Sequence, residues 1–204
     1  MENGRSPAFA IISTIGPELL FNLVTTSEAA EGRHGWLLDS VNEEEGRLAV
    51  LTRDFIWVLG NRGIERLSQA SVDERCRLSP ELAGIYGFFG GRGVGSRRDR
   101  HFFLTTDTHM GRTAARALSV FLRRQGMYVD LFVPRRFTPR LPDGFGAGMK
   151  EIARWCQDTF PKLRQQGYQL VFNLNGGPEA LTSYLGRIAS LYEAATAPIV
   201  THYL

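Results

Sequence analysis

The chain has 204 residues, about the length of one domain or of a domain with a small insertion, and can bury a proper core. No stretch approaches the roughly 18 uninterrupted apolar residues of a membrane-spanning helix, which argues against an integral membrane protein. The balance of 24 basic against 21 acidic residues gives a formal net charge of +3, enough for loose attraction to anions and too little to define a partner.

The opening residues, MENGRSPAFAIIST, lack the charged-then-apolar layout of a signal peptide, so a cytoplasmic location is expected. "FAIIST" (Phe9 to Thr14) predicts a buried strand, and "IGPELLFNLV" a following helix with Pro17 in its first turn. Residues 36–89 predict a mostly helical insertion within one domain, in which Ser79 caps a helix that has Pro80 at its first position. "GGRGVGSRRDR" (Gly90 to Arg100) reads as a glycine- and arginine-rich loop. "HFFLTTDT" (His101 to Thr108) predicts the next strand and turn. A helix follows with Met110, Ala114, Ala117, Leu118, Phe121 and Leu122 on one face, closed by Gly126. "MYVDLFVP" predicts a strand, and "VPRRFTPRLPDGFGAG" a loop. A helix carrying Met149, Ile152, Ala153, Cys156, Phe160 and Leu163 then runs up to Gly167. "YQLVFNLN" predicts a strand, "PEALTSYLGRIASLYEAA" a helix, and "PIVTHYL" a last strand. Unbroken apolar strands alternating with amphipathic helices predict an α/β domain with a doubly wound, mostly parallel sheet of Rossmann type.

In such a sheet the right-handed crossovers place every strand-to-helix loop along one edge, where these folds bind ligands. Three loops are thereby expected to converge: Ser13-Thr14-Ile15-Gly16-Pro17, Thr106-Asp107-Thr108 with Arg112 one turn on, and Asn175-Gly176-Gly177-Pro178. Each supplies glycine, hydroxyl or amide groups and a helix N-terminus, whose open N–H groups and dipole suit phosphate oxygens. Backbone N–H donation is assigned to Gly16, Gly176 and Gly177, and side-chain contacts to Thr14, Thr106 and Asn175. Asp107 reads foremost as the N-cap of its helix and also as a polar group at the ligand. Arg112 either reaches an anion or lies on the solvated face.

Other chemistries lack their signatures. No GxGxxG follows the first strand and no GxxxxGK[ST] occurs, so a dinucleotide dehydrogenase or a P-loop enzyme loses its main support. Cys76 and Cys156 lie far apart and read as buried thiols, and His34, His101, His109 and His202 show no ligand spacing. Neither a disulfide framework, a metal site nor a resident cofactor is expected. Lysine occurs only at Lys150 and Lys162, so the basic charge is almost all arginine, the better phosphate ligand.

The runs "HFFLTTDTHMGRTAARALSVFLRRQGMYVDLFVP" and "GYQLVFNLNGGPEALTSYLGRIASLYEAATAPIVTHYL" resemble the CRISPR-associated Rossmann-fold (CARF) domain. In that family a TDT-G turn opens one helix, and an N-x-T-G-G-F-K strand end precedes another. "IISTIGPELLFNL" is similar to the family's first motif, with Leu20, Phe21 and Asn22 at its Leu-x-Asn, and "SPELAGI" to its Ser-x-Glu-Leu helix. The likeness does not extend to residues 31–75. Two positions depart from the pattern: Asn175 stands where the family commonly has Thr, and Pro178-Glu179 where it has Phe-Lys. That leaves a site of neutral donors, with Arg112 as its one cationic candidate.

The resemblance implies a sensor that binds cyclic oligoadenylate, with cyclic tetra-adenylate favoured over hexa-adenylate, across the two-fold axis of a homodimer. It implies that residues 1–204 are the N-terminal sensory part of a longer protein with an attached effector domain. The matching positions are Ser13 to Pro17, Thr106 to Thr108 and Asn175 to Pro178. Some relatives cleave their ligand; with Glu179 in the lysine position, binding with slow or no cleavage is expected. A nucleotide-using α/β enzyme is the reading from another class. Duplex nucleic acid is not an expected partner, since no recognition-helix pattern is present.

Overall fold

Strand β1 (Ala8–Ile15) is apolar on both sides because both sides are covered. Its Ile11 and Ile15 enter one hydrophobic core, and Ala10 and Ile12 enter a second. The computed structural model describes residues 7–139 and 142–199. The sheet is five-stranded and all parallel, in the order β3-β2-β1-β4-β5, with β2 at Arg100–Thr105, β3 at Tyr128–Phe132, β4 at Tyr168–Asn173 and β5 at Ala195–Thr196. Helices cover both faces, which makes the architecture the expected doubly wound α/β fold.

The core that contains Ile11 also takes Phe103 from β2 and a helical layer. This layer includes α1 (Glu18–Phe21), α4 (Val50–Gln69), α6 (Pro80–Phe88) and α7 (His109–Arg124). The core that contains Ile12 takes Phe102, Leu104 and Phe172 from the strands, with α8 (Pro142–Gln165) and α9 (Glu179–Leu191). Phe103 is fully buried. Phe103→Ala is therefore expected to lower the unfolding free energy by about 3–5 kcal/mol, the range for truncating a packed phenylalanine. A urea titration of the variant beside the unaltered chain measures it.

The expected insertion is helical: α2 (Thr26–Ala30), α3 (Arg33–Ser40), a 3-10 turn at Glu45–Arg47, α4, α5 (Val72–Leu78) and α6 fill the interval between β1 and β2. Ser79 caps α6, its hydroxyl accepting from the N–H of Leu82, with Pro80 in the first turn as expected. Gly126 and Gly167 adopt the left-handed conformation where their helices end. No helix among the described residues is long and apolar enough to cross a membrane.

Four expectations need correction. The first helix is a single turn, with Pro17 at its N-cap, because Asn22 turns to donate to the carbonyls of Arg77 and Leu78 and the chain leaves in a new direction. Helix α8 begins at Pro142, absorbing Gly144, Gly146 and Gly148 from the expected loop. Packing overrides glycine's poor propensity there: Gly148 sits so close to buried Phe137 that an added Cβ would lie 2.7 Å from that residue's Cβ. The last strand is Ala195–Thr196; Pro198 and Ile199 are not in a strand, and the rest of "PIVTHYL" lies outside the described residues. Cys76 is half-buried, whereas Cys156 is buried as expected.

Candidate functional site

The strand order reverses between β1 and β4, so the loops that follow them diverge to opposite faces and leave a crevice at the carboxyl edge. A cleft of about 230 Å3 lies there. The first expected loop lines it with Ile15, Gly16 and Pro17, the second with Thr106 and Thr108, and the third with Gly177 and Pro178. Three segments far apart in sequence therefore share one cleft. The remaining wall comes from Glu18, from Val41 and Asn42 of the helical insertion, and from Pro139. A larger concavity, about 710 Å3, lies on the helical layer among Asn22, Arg62, Arg66 and Arg77, away from these loops.

Not every expected residue faces the cleft. Ser13 is buried and accepts a hydrogen bond from the Asn173 amide at 3.2 Å. The side-chain nitrogen of Asn175 donates to Asn173 Oδ1 at 2.8 Å and to the Pro198 carbonyl at 2.9 Å, so it is committed within the fold. Thr14 is fully buried, and its hydroxyl has no hydrogen-bond partner among the described residues.

Asp107 is not the helix cap. Thr108 caps α7, accepting from the Gly111 N–H at 3.1 Å, while Asp107 accepts from Arg112 Nε at 2.7 Å and from the Arg136 N–H at 2.8 Å. Arg112 is thereby folded back onto Asp107 in a second contact of 2.6 Å, on an exposed surface. An exposed pair of this kind is weak, so Arg112 can be recruited by a stronger anion. Thr106 and Thr108 hydroxyls share a hydrogen bond of 2.9 Å, and Gly111 is packed against them so tightly that a Cβ would come within 2.6 Å of the Thr106 hydroxyl oxygen.

The sequence reasoning missed Glu81. This carboxylate reaches from α6 to the crevice, where Oε1 accepts from the Gly16 N–H at 2.9 Å and Oε2 from the Ser79 hydroxyl at 2.6 Å. It is almost completely buried. Gly16 is therefore not an open donor, which corrects the role expected for it. Gly176 has no room for a Cβ because Glu81 Oε1 occupies that space, and Gly177 holds φ +82, where an added Cβ would lie 3.1 Å from Thr14 Cβ. The double glycine thus serves the close approach of the protein's own carboxylate and a left-handed turn. The N–H groups of Gly176 and Gly177 have no acceptor among the described residues. The signal for Glu81 was its place in "SPELAGI", a capped helix start that sequence alone does not bring to the sheet edge.

Burial pushes the Glu81 carboxyl up to about 7, and the neighbouring Glu18 carboxylate adds to the rise. Burial likewise raises Glu18, whose Oε2 has no hydrogen-bond partner among the described residues. Two carboxyls this close cannot both ionise cheaply, so the buried Glu81 behind the cleft shares in holding a proton as the pH nears neutrality.

Residues 76–200 match the model of a family described as CRISPR-associated protein (Cas_APE2256). The matched span contains Glu81 and the loops at Thr106 to Thr108 and Asn175 to Pro178, and leaves out the β1 loop. No curated protein matches the chain. With more than half of its length inside that match, the chain belongs to this CRISPR-associated family.

Proposed function

We propose that the chain is a CARF-type sensor domain that binds a cyclic oligoadenylate, cyclic tetra-adenylate in preference to hexa-adenylate, at the carboxyl edge of its sheet. The observation that carries this reading is the meeting of the β1, β2 and β4 loops in one cleft at the strand-order reversal, in a chain of a CRISPR-associated family. The N–H of Gly177, which lines the cleft and has no acceptor among the described residues, supplies a phosphate donor, with α7 and α9 pointing their N-termini to the same edge. Thr106 and Thr108 add side-chain hydroxyls, and Arg112 supplies charge once released from Asp107.

A ring of four adenylates is larger than a 230 Å3 cleft, so one chain holds a part of it and a second copy the rest. An isologous dimer presents the same loops twice to an even-membered ring. Helix α4 starts beside the cleft, where the Arg53 carbonyl meets His109 at 3.3 Å, and its outer face exposes Val50, Leu51, Trp57 and Val58. Such an apolar surface favours self-association. In this reading occupancy of the edge is transmitted to an effector domain outside residues 1–204, and the ligand is retained or cleaved slowly.

Thermal denaturation of the purified chain with cyclic tetra-adenylate at about a hundred times its Kd is expected to raise Tm by about 5–10 °C, the equivalent of about 2.7 kcal/mol. Linear tetra-adenylate and mononucleotides serve as comparators. A larger shift with a mononucleotide would favour a nucleotide-using enzyme, and rapid multi-turnover linearisation would make the chain a ring nuclease.

A further inference from the structure

Four buried side-chain atoms lack a hydrogen-bond partner among the described residues, and two of them, Thr14 Oγ1 and Glu18 Oε2, lie at the end of β1 and in the turn after it. The other two, on His101 and Ser119, are dispersed in β2 and α7. A buried polar atom without a partner costs stability until a guest supplies the missing bond, so such atoms are rare. Their gathering at one strand end points to what enters there. Glu18 lines the cleft together with Gly16 and Gly177.

The Glu18 carboxyl lies across Gly16, in space that only a missing side chain leaves open. A Cβ on Gly16 would meet Glu18 Oε2 and come 2.7 Å from the Gly177 nitrogen. A carboxyl oxygen without a donor and an N–H without an acceptor thus stand side by side. The fold satisfies neither. The Gly16 N–H is spent on Glu81 Oε1 at 2.9 Å, and no arginine, lysine or histidine pairs with Glu18 among the described residues. Thr14 adds its unpartnered hydroxyl from the strand, its Cβ 3.1 Å from the place a Cβ on Gly177 would take.

A phosphate oxygen answers the N–H alone, because it only accepts, and a carboxylate beside it repels it. A ribonucleotide answers both groups, since the 2′-hydroxyl next to each 3′-phosphate can donate. We propose that Glu18 accepts a hydrogen bond from the ribose 2′-hydroxyl beside the phosphate held by the Gly177 N–H, which makes Glu18 the residue by which the cleft selects ribonucleotides over deoxyribonucleotides. This rests on the reading that the cleft takes a cyclic oligoadenylate, and adds a specificity that backbone N–H groups do not supply, since they hold either kind of phosphate alike. Without the hydroxyl the carboxylate faces the phosphate directly, a like-charge contact that turns the deoxyribo ring away. The adenine amine is the ligand's other donor, but it sits at the far end of the base from the phosphate of the same nucleotide.

Isothermal titration of the full chain with cyclic tetra-adenylate, its 2′-deoxy counterpart and cyclic tetra-inosinate, which lacks the amine, tests the proposal. The unaltered chain is expected to bind the ribo ring at least about tenfold more tightly than the deoxyribo ring, the size of a lost hydrogen bond to a charged group. Glu18→Ala is expected to bring the two rings to one affinity, and Glu18→Gln, whose amide oxygen still accepts, to keep part of the preference. Neither variant should change the ratio of adenylate to inosinate binding. Because the deoxyribo comparison is made on the unaltered chain, it decides the matter even where a Glu18 variant fails to fold. Equal binding of the ribo and deoxyribo rings by the unaltered chain, a full preference kept by Glu18→Ala, a gain for both rings alike in that variant, or a lost adenylate preference in it would overturn the proposal and leave the reading of the cleft standing. Binding of no ring at all would overturn that reading, and this proposal with it.

Discussion

At pH 8 the Glu81→Gln variant is expected to be more stable than the unaltered chain, by on the order of 3 kcal/mol, and at pH 5 the two are expected to be nearly equal. Glu81 has a folded-state pKa raised from its ordinary 4.5 to about 7. A carboxyl shifted this way stabilises the fold while it is protonated, and withdraws that contribution as the pH climbs through the folded value. The window therefore runs from about 4.5 to about 7. Glutamine keeps the shape, can accept from Gly16 and donate to Ser79, and never ionises. His101 works in the opposite direction, since burial lowers it to about 4 and its contribution is lost as the pH falls below its ordinary 6.5. The difference between variant and parent removes the His101 effect. Urea midpoints for both proteins at pH 5, 6, 7 and 8 give the comparison, and a gap that stays constant across that range would refute the assignment.

Gly16→Ala is expected to cost about 1–3 kcal/mol of stability, the range for forcing a methyl group into a filled space, and to weaken cyclic tetra-adenylate binding at least tenfold. The reason is geometric: a Cβ on Gly16 would lie 2.7 Å from the backbone nitrogen of Gly177 and would also run into the Glu18 carboxylate. The β1 and β4 loops touch backbone to backbone, so the methyl group separates them and widens the cleft. Gly35 in α3 is the control, because a Cβ there meets nothing within 4 Å. Gly35→Ala should be neutral or gain about 0.5–1 kcal/mol from the better helix former. Equal behaviour of the two variants would mean that the loop contact does not set the cleft.

Sequence pattern exposed the elements whose signal is local. The stripe from Met110 to Leu122 is buried throughout in α7, and the strands at Phe9 and Tyr168 are mostly apolar, with Ala10 to Ile15 and Leu170 to Asn173 buried. Alternation of the two element types then implied the parallel sheet and the edge where its loops gather. Features decided by distant contacts were not legible. Glu81 reads as an ordinary first-turn acid of α6, and only the folded chain brings it 2.9 Å from the nitrogen of Gly16, 65 residues away. Asp107 and Thr108 are both good caps by type, and Asp107 is drawn away by Arg112 and the Arg136 N–H. The glycines of α8 look like loop residues until Phe137 packs on Gly148.

The central position of β1 also governs how the chain can reach this shape. Its neighbours are supplied by segments about 90 and 160 residues further along, as the bonds from Phe9 to Asp99 and from Asn173 to Ser13 record. The first of the described strands therefore gains its second neighbour only when β4 is made. Loops of that length are costly to close before any pairing energy returns. Refolding is accordingly expected to be slow, to pass through a state with formed helices and an open sheet, and to lose yield by aggregation as protein concentration rises.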